Sequence, residues 1–170
     1  MSNTFVFYLL YISVIGDEIL KGSTADTNSH FLCKTLRNKG IVLKKISVVG
    51  DDINDISREI KEFSKNYDLV FTSGGIGPTH DDRTLSSLAT AFNDVLEPRR
   101  DFQEGIFKKI VRSDSVLAFN GALEHMCNIP KTAELLWSEK SSFPLIRMRN
   151  VIVLPGVPKY CIKGIKEFEV

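Results

Sequence analysis

Short apolar, β-branched runs alternate along this chain with amphipathic segments of helical spacing. The run "FYLLYISVIG" (7–16) is apolar almost throughout, as a strand covered on both faces must be. It is followed by "SHFLCKTLRNKG" (29–40), where Phe31, Leu32 and Leu36 fall on one helical face and Gly40 supplies a stop. The alternation repeats with strand "IVLKKISVVG" (41–50), helix "INDISREIKEFSKN" (53–66), strand "DLVFTSG" (68–74) and helix "TLSSLATAFNDVL" (84–96). From Glu97 to Arg149 the rhythm loosens. "RRDFQEGIFKKIVRSDSVLAFNGALEHM" reads as helical in pieces and "CNIPKTAELLWSEKSSFPLIRM" as loops and short strands. Order returns in "RNVIVLPGVPKYCIKGIKEF" with a strand, a Pro-Gly loop and a helix that stops at the end of the chain. Strand-helix alternation predicts an α/β fold of three layers, α/β/α, around a mostly parallel sheet. One domain over 1–170 is expected, and the short last helix reads as the edge of a longer protein.

In such a sheet, ligands bind outside the carboxyl ends of the strands. Four loops carrying Gly, Pro or Asp fall there: "GDEILKGSTADTN" (16–28), "VVGDD" (48–52), "TSGGIGPTHDD" (72–82) and "LPGVP" (154–158).

Composition narrows the choice of ligand. The 170 residues carry a formal net charge of +1, which gives no basic excess for nucleic acid. The opening "TFVFYLLYISVIG" lacks the positive flank and cleavage site of a signal peptide. It is also shorter than the ~20 apolar residues a bilayer crossing needs. No membrane association is expected. Three cysteines, Cys33, Cys127 and Cys161, show no metal or disulfide spacing, so a reducing cytoplasm is the expected compartment. Cys33 sits among apolar neighbours and reads as core, and Trp137 reads as a loop anchor.

The loops carry the chemistry. Gly74, Gly75 and Gly77 let a ligand approach backbone N–H groups, which favour phosphate oxygens near a helix start. The spacing is GGxG, neither the dinucleotide fingerprint nor the Lys-bearing phosphate loop. The plainer alternative is a tight turn with Asp82 or Thr84 capping the next helix. Asp81 and Asp82 would repel a phosphate unless a divalent cation stands between them, as magnesium does. His80 is either solvated or a proton carrier. Asp17 and Glu18 extend the acidic rim, and Lys21 meets a phosphate or solvent. Thr27 and Asn28 precede a helix, where capping is the default role. One of Asp51 and Asp52 caps the helix near Ile53 and leaves the other to face the crevice, while Pro155 and Gly156 wall the pocket.

Together, "GDEILKG", "DTNSHFLCKTLRNKG", "SVVGDD", "TSGGIGPTHDD" and "VIVLPGVP" resemble the molybdopterin-binding domain of molybdenum cofactor biosynthesis proteins, gephyrin and the competence-damage-inducible family. More narrowly, "VIGDEILKG", "GGIGPTHDD" and "FPLIRMRNVIVLPGVP" are similar to the N-terminal molybdopterin-binding-like domain of eukaryotic FAD synthases. The resemblance implies a domain that cleaves FAD to FMN and AMP with a divalent metal (Mg, Mn or Co), the synthase domain lying outside this chain. The alternatives it implies are molybdopterin binding and adenylylation, or a catalytically idle regulatory module. It implies Asp51 and Asp82 as the essential aspartates, Asp81 and Asp82 on the metal, and a homo-dimer or homo-trimer. Residue chemistry and resemblance together give a binding set of Asp17, Glu18, Asn28, Gly74, Gly75, Gly77, Thr79, Pro155 and Gly156 for a nucleotide or pterin.

Overall fold

A computed structural model describes residues 8–110, 125–139 and 143–167. The elements run β1 (Leu9–Ile15), α1 (Asp17–Leu20), α2 (Thr27–Asn38), β2 (Val42–Val49), α3 (Ile53–Asn66), β3 (Leu69–Ser73), α4 (Thr84–Ala91), β4 (Leu96–Pro98) and α5 (Arg100–Ile110). They continue with β5 (Asn128–Pro130), β6 (Glu134–Leu136), β7 (Leu145–Met148), β8 (Val151–Leu154) and α6 (Pro158–Glu167). The main sheet has the order β2-β1-β3-β8-β7-β6. Strands β2, β1, β3 and β8 pair in parallel, and β7 alone runs opposite to the other five. The mostly parallel α/β/α arrangement expected from the alternation is the one observed.

Each strand feeds two apolar layers because side chains alternate across the pleat. From β1, Tyr11 and Ile15 join Ile56, Ile60 and Phe63 of α3 and Leu85 and Leu88 of α4. Leu10, Ile12 and Val14 face the other way, against Leu32 and Leu36 of α2 and Cys161 and Ile165 of α6. Burial pushes the Cys161 thiol up to about 12, so it packs as an inert apolar group. Cys33 is half-buried on α2 and its thiol is likewise raised by desolvation.

One element departs from the sequence reading. The helix expected over 84–96 ends at Ala91: Asn93 takes a left-handed backbone (φ 55°), and Leu96–Pro98 becomes a strand paired with β5. The apolar residues Val95 and Leu96 continue the helical spacing, but Asp94 turns the chain instead, its carboxylate accepting from the Thr132 N–H (2.9 Å) and hydroxyl (2.8 Å). In the loosened region β6 and β7 add two strands to the sheet, and α5 packs Phe102 against Trp137 and Phe143. Trp137 is an anchor, as expected: it lies so close to α5 that a Cβ on Gly105 would come 2.2 Å from its ring. Phe7, where the first strand was expected to begin, and 111–124, read as part of a broken helix, lie outside the described residues.

Candidate functional site

The four loops meet at the carboxyl ends of β1, β2, β3 and β8, which lie side by side in the sheet. Gly16 ends β1 and donates its N–H to the Val49 carbonyl of β2 (3.0 Å). Beyond it the first two loops clasp: the Asp17 N–H donates to Asp51 Oδ2 (3.0 Å), and Asp17 Oδ1 lies 3.4 Å from the Asp51 N–H. Lys21 bonds Asp17 Oδ2 at 2.9 Å, and this hydrogen bond holds the Asp17 carboxyl below its ordinary range. Asp52, not Asp51, caps α3 by accepting from the Asn54 and Asp55 N–H groups (2.9 and 3.0 Å), and Asp51 is left to the β1 loop, where its Oδ2 accepts from Asp17. Glu18 is exposed, its carboxylate folded over Gly16.

The β3 loop is built on two glycines with positive φ, Gly74 (110°) and Gly75 (63°). A Cβ on Gly74 would lie 2.2 Å from the Ile15 carbonyl, and one on Gly75 2.4 Å from the Thr84 hydroxyl. Glycine is required there by space as well as by conformation. Ile76 is buried in the core and pins the loop's middle. Asp82 closes the loop on itself. Its carboxylate accepts from the Gly77 N–H (2.6 Å), the Thr79 N–H (2.8 Å) and the Thr79 hydroxyl (2.6 Å). The next residue, Arg83, is the N-cap of α4 and makes no side-chain cap bond, so neither Asp82 nor Thr84 caps the helix. Thr84 instead donates its hydroxyl to the Gly74 carbonyl (2.8 Å). Asp81 and His80 are exposed.

Asn28 joins three of the loops. The helix cap expected near it is Asp26, which accepts from the Ser29 N–H (2.9 Å). Asn28 sits inside the first turn of α2, buried, and donates Nδ2 to Ser73 Oγ (2.9 Å) and to the Gly156 carbonyl (2.8 Å). Its Oδ1 is buried and has no hydrogen-bond partner. Gly156 in turn lies against Gly74, where a Cβ would come 3.1 Å from the Gly74 Cα, and Pro155 is half-buried beside it. Two participants escaped the sequence reading. Ser73 ends β3 and receives Asn28, and His125 brings its ring to 6.3 Å from that of His80. The only signal for Ser73 was its place at a strand end, and nothing local pointed to His125.

The rim donors Asp17, Asp51, Asp81 and Asp82 are carboxylate oxygens, the type a hard divalent cation takes. Among the described residues no group of three or more His, Cys, Asp or Glu converges as a metal cage. Asp17 is already bonded to Lys21 and Asp82 to Gly77 and Thr79, which leaves Asp51 and Asp81 the less committed of the four.

The profile of the family described as "Probable molybdopterin binding domain" matches residues 11–170, and the chain belongs to that family. It is 46% identical over 175 aligned residues to a "Probable FAD synthase" of Caenorhabditis elegans, an alignment covering 93% of this chain and 34% of the relative. A "CinA-like protein" of Thermotoga sp. (strain RQ2) is 35% identical, over 89% of this chain and 38% of its own. The chain thus spans about a third of the length of these relatives. The crystal structure of CinA, of unknown function, from Thermoplasma acidophilum superposes with a TM-score of 0.81 at 30% identity, over 96% of each chain. The molybdopterin biosynthesis enzyme MoaB of a Thermus species shares the fold (TM-score 0.61, 16% identity, 96% of this chain and 90% of that one). No helix among the described residues is long and apolar enough to cross a membrane.

Proposed function

We propose that this domain binds a dinucleotide pyrophosphate across the four-loop rim and hydrolyses FAD to FMN and AMP with a divalent ion, Mg, Mn or Co. The observation that supports this most is the joining of a two-glycine backbone turn to carboxylates from three adjacent strand ends. The kinship with a relative named FAD synthase supports the flavin dinucleotide among such ligands. In this reading the N–H groups of Gly75 and Ile76 take pyrophosphate oxygens, those of Gly74 and Gly77 being given to the Leu154 carbonyl and to Asp82. Asn28 offers Oδ1 to a donor on the ligand, which removes a buried orphan acceptor. Asp51 and Asp81 hold the ion, and Asp82 joins them only by yielding a bond to Gly77 or Thr79. When bound, the ion neutralises phosphoryl charge and acidifies water. The oxygen of water bonds to one phosphorus, the bridging P–O bond breaks with its electron pair kept by the departing monophosphate's oxygen, and the proton from water passes to solvent. An FMN adenylyltransferase in the remainder of a longer protein belongs to the same proposal.

Pterin binding is the second reading, favoured by the family's own description and by the Asn28 acceptor, which suits a ring amino group as well as a sugar hydroxyl. One experiment separates the two. The protein is incubated with FAD and each metal, with products identified by chromatography, and in parallel with molybdopterin and ATP. FMN and AMP in equal amounts support the first reading. Adenylated pterin with intact FAD supports the second and refutes the first.

A further inference from the structure

A groove of about 480 Å³ runs between β2 and α3, a size that small ligands occupy. Its mouth is at Gly50, on the rim: a Cβ there would lie 2.6 Å from Asp17 Oδ1 and 3.6 Å from Leu20 Cδ1, so the groove opens beside the Asp17–Asp51 clasp. Leu20, 59% exposed, and Val48 give it apolar walls. Within it, Glu59 is held from beneath. Its Oε1 accepts from the Ser13 hydroxyl (2.6 Å) and from the Ser47 hydroxyl, which itself accepts from the Tyr11 hydroxyl. Ser13 and Tyr11 are fully buried, and burial holds the Tyr11 hydroxyl above its ordinary range, so it stays a donor. Both bonds to Glu59 fall on Oε1, and among the described residues no donor meets Oε2. The other acids of the groove differ: Asp55 is committed to Arg58 (2.5 Å), and Glu62 is exposed.

We infer that this groove takes the adenosine half of the ligand, with Glu59 Oε2 accepting a hydrogen bond from the adenine amino group. The inference rests on the dinucleotide reading above and adds to it a second, base-reading subsite. Three observations select the occupant. The first is depth. Ser47, which bonds Glu59, stands three residues before Gly50, about 10 Å along the strand. That is the reach of an adenosine from its amino group to its 5′ phosphate, which places the phosphates at the mouth, beside the clasp. The second is the count of acceptors. With Oε1 occupied, one oxygen remains, which suits the lone amino group of adenine. Guanine and pterin edges set an amino group next to a ring N–H and ask for both oxygens. The isoalloxazine edge flanks its N–H with carbonyl oxygens, which a fixed carboxylate repels. The third is the pairing of that carboxylate with the apolar walls of Leu20 and Val48, the combination that holds a flat ring and fixes its orientation.

Titration calorimetry with ADP, GDP and IDP in magnesium tests this on the wild type and three variants, each shown to be folded by circular dichroism. In IDP a carbonyl replaces the adenine amino group. The wild type is expected to bind ADP at least about tenfold more tightly than IDP or GDP, because a carboxylate facing a carbonyl is left unpaired. Glu59→Gln abolishes or reverses the preference over IDP, since a carboxamide can donate to that carbonyl. Glu62→Gln leaves the preference at its wild-type value. Leu20→Asp, a surface change, weakens ADP and IDP alike by at least about fivefold. If Glu59→Gln does not fold, the wild-type preference and the Leu20→Asp loss still decide. A wild type indifferent between ADP and IDP overturns the inference, as does a preference that survives in folded Glu59→Gln, or no ADP binding up to about 1 mM. FAD cleaved by a wild type that treats ADP and IDP alike refutes this subsite and leaves the hydrolysis standing. An ADP preference lost in Glu59→Gln, with FAD left uncut, upholds the subsite and refutes the hydrolysis.

Discussion

Gly74 is where the site's geometry and the fold's stability meet most tightly, and Gly74→Ala tests whether that loop is held by space or merely tolerated. The residue has φ 110°, donates its N–H to the Leu154 carbonyl (3.1 Å), accepts the Thr84 hydroxyl and lies beneath Gly156. A Cβ there would stand 2.2 Å from the Ile15 carbonyl, which is backbone of β1, a strand paired on both sides. A side chain at such a φ costs about 1–3 kcal/mol, and the clash adds about as much again, so a loss of about 2–6 kcal/mol is expected. That is a large part of the ~5–15 kcal/mol by which a domain is stable. Gly22→Ala is the internal control: its φ is also positive (70°), yet nothing lies within 4 Å of its Cβ position. Only conformational strain of roughly 1–2 kcal/mol applies there. Urea unfolding followed by circular dichroism measures both, with unchanged m-values required for the comparison. If Gly74→Ala costs no more than Gly22→Ala, the close approach of the β1 and β3 ends is not a constraint, and the case for a rigid glycine cradle fails.

Other outcomes follow from single contacts. Asp82→Asn leaves one oxygen for three donors, so the Gly77 and Thr79 amides should exchange with solvent at least about tenfold faster while the core amides stay protected. Hydrogen exchange by NMR reads this directly, and uniform loss of protection would contradict it. Asn28→Asp replaces the donor to Ser73 and the Gly156 carbonyl by an acceptor, and should cost about 2–4 kcal/mol in chemical unfolding, whereas an effect below that of a surface substitution would refute the three-loop tie. Asp101 is held below its ordinary range by its hydrogen bond from Arg99. A depressed carboxyl stabilises the fold above its unfolded value of about 3.9 and loses that contribution as pH falls through the folded value. The wild type should therefore lose more stability than Asp101→Asn on acidification below about pH 4. Parallel acid profiles would refute the assignment.

The parts of this fold that were legible in the sequence are those with a one-dimensional cause. The β1 run is apolar without alternation because β2 and β3 flank it and helices cover both faces, and α3 shows its buried Ile56, Ile60 and Phe63 at helical spacing. The glycine turn was legible because Gly74 and Gly75 have few other reasons to adjoin. What escaped depends on pairing at a distance. Val95 and Leu96 obey helical periodicity, yet the helix has ended and Leu96 begins a strand, since Asp94 finds Thr132, 38 residues on. Strands β6 and β7 fall where short strands were read, but with three and four residues they are too short to display a period that would fix their bounds. Asp82 could be placed beside the site by its neighbours, but not its direction, which is set by the Gly77 and Thr79 amides. Asn28 read as a cap because its contacts to Ser73 and Gly156 cross 45 and 128 residues.

The central claim is that the four-loop rim holds a pyrophosphate with its oxygens on the backbone of the glycine turn. A crystal structure of this protein soaked with FAD and magnesium tests it most directly. Phosphate oxygens should lie within hydrogen-bond distance of N–H groups of the Gly74–Gly77 turn, with a cation contacting Asp51 or Asp81 and with Asn28 Oδ1 accepting from the ligand. A pyrophosphate bound away from that turn, or a rim left empty at saturating ligand, would contradict it.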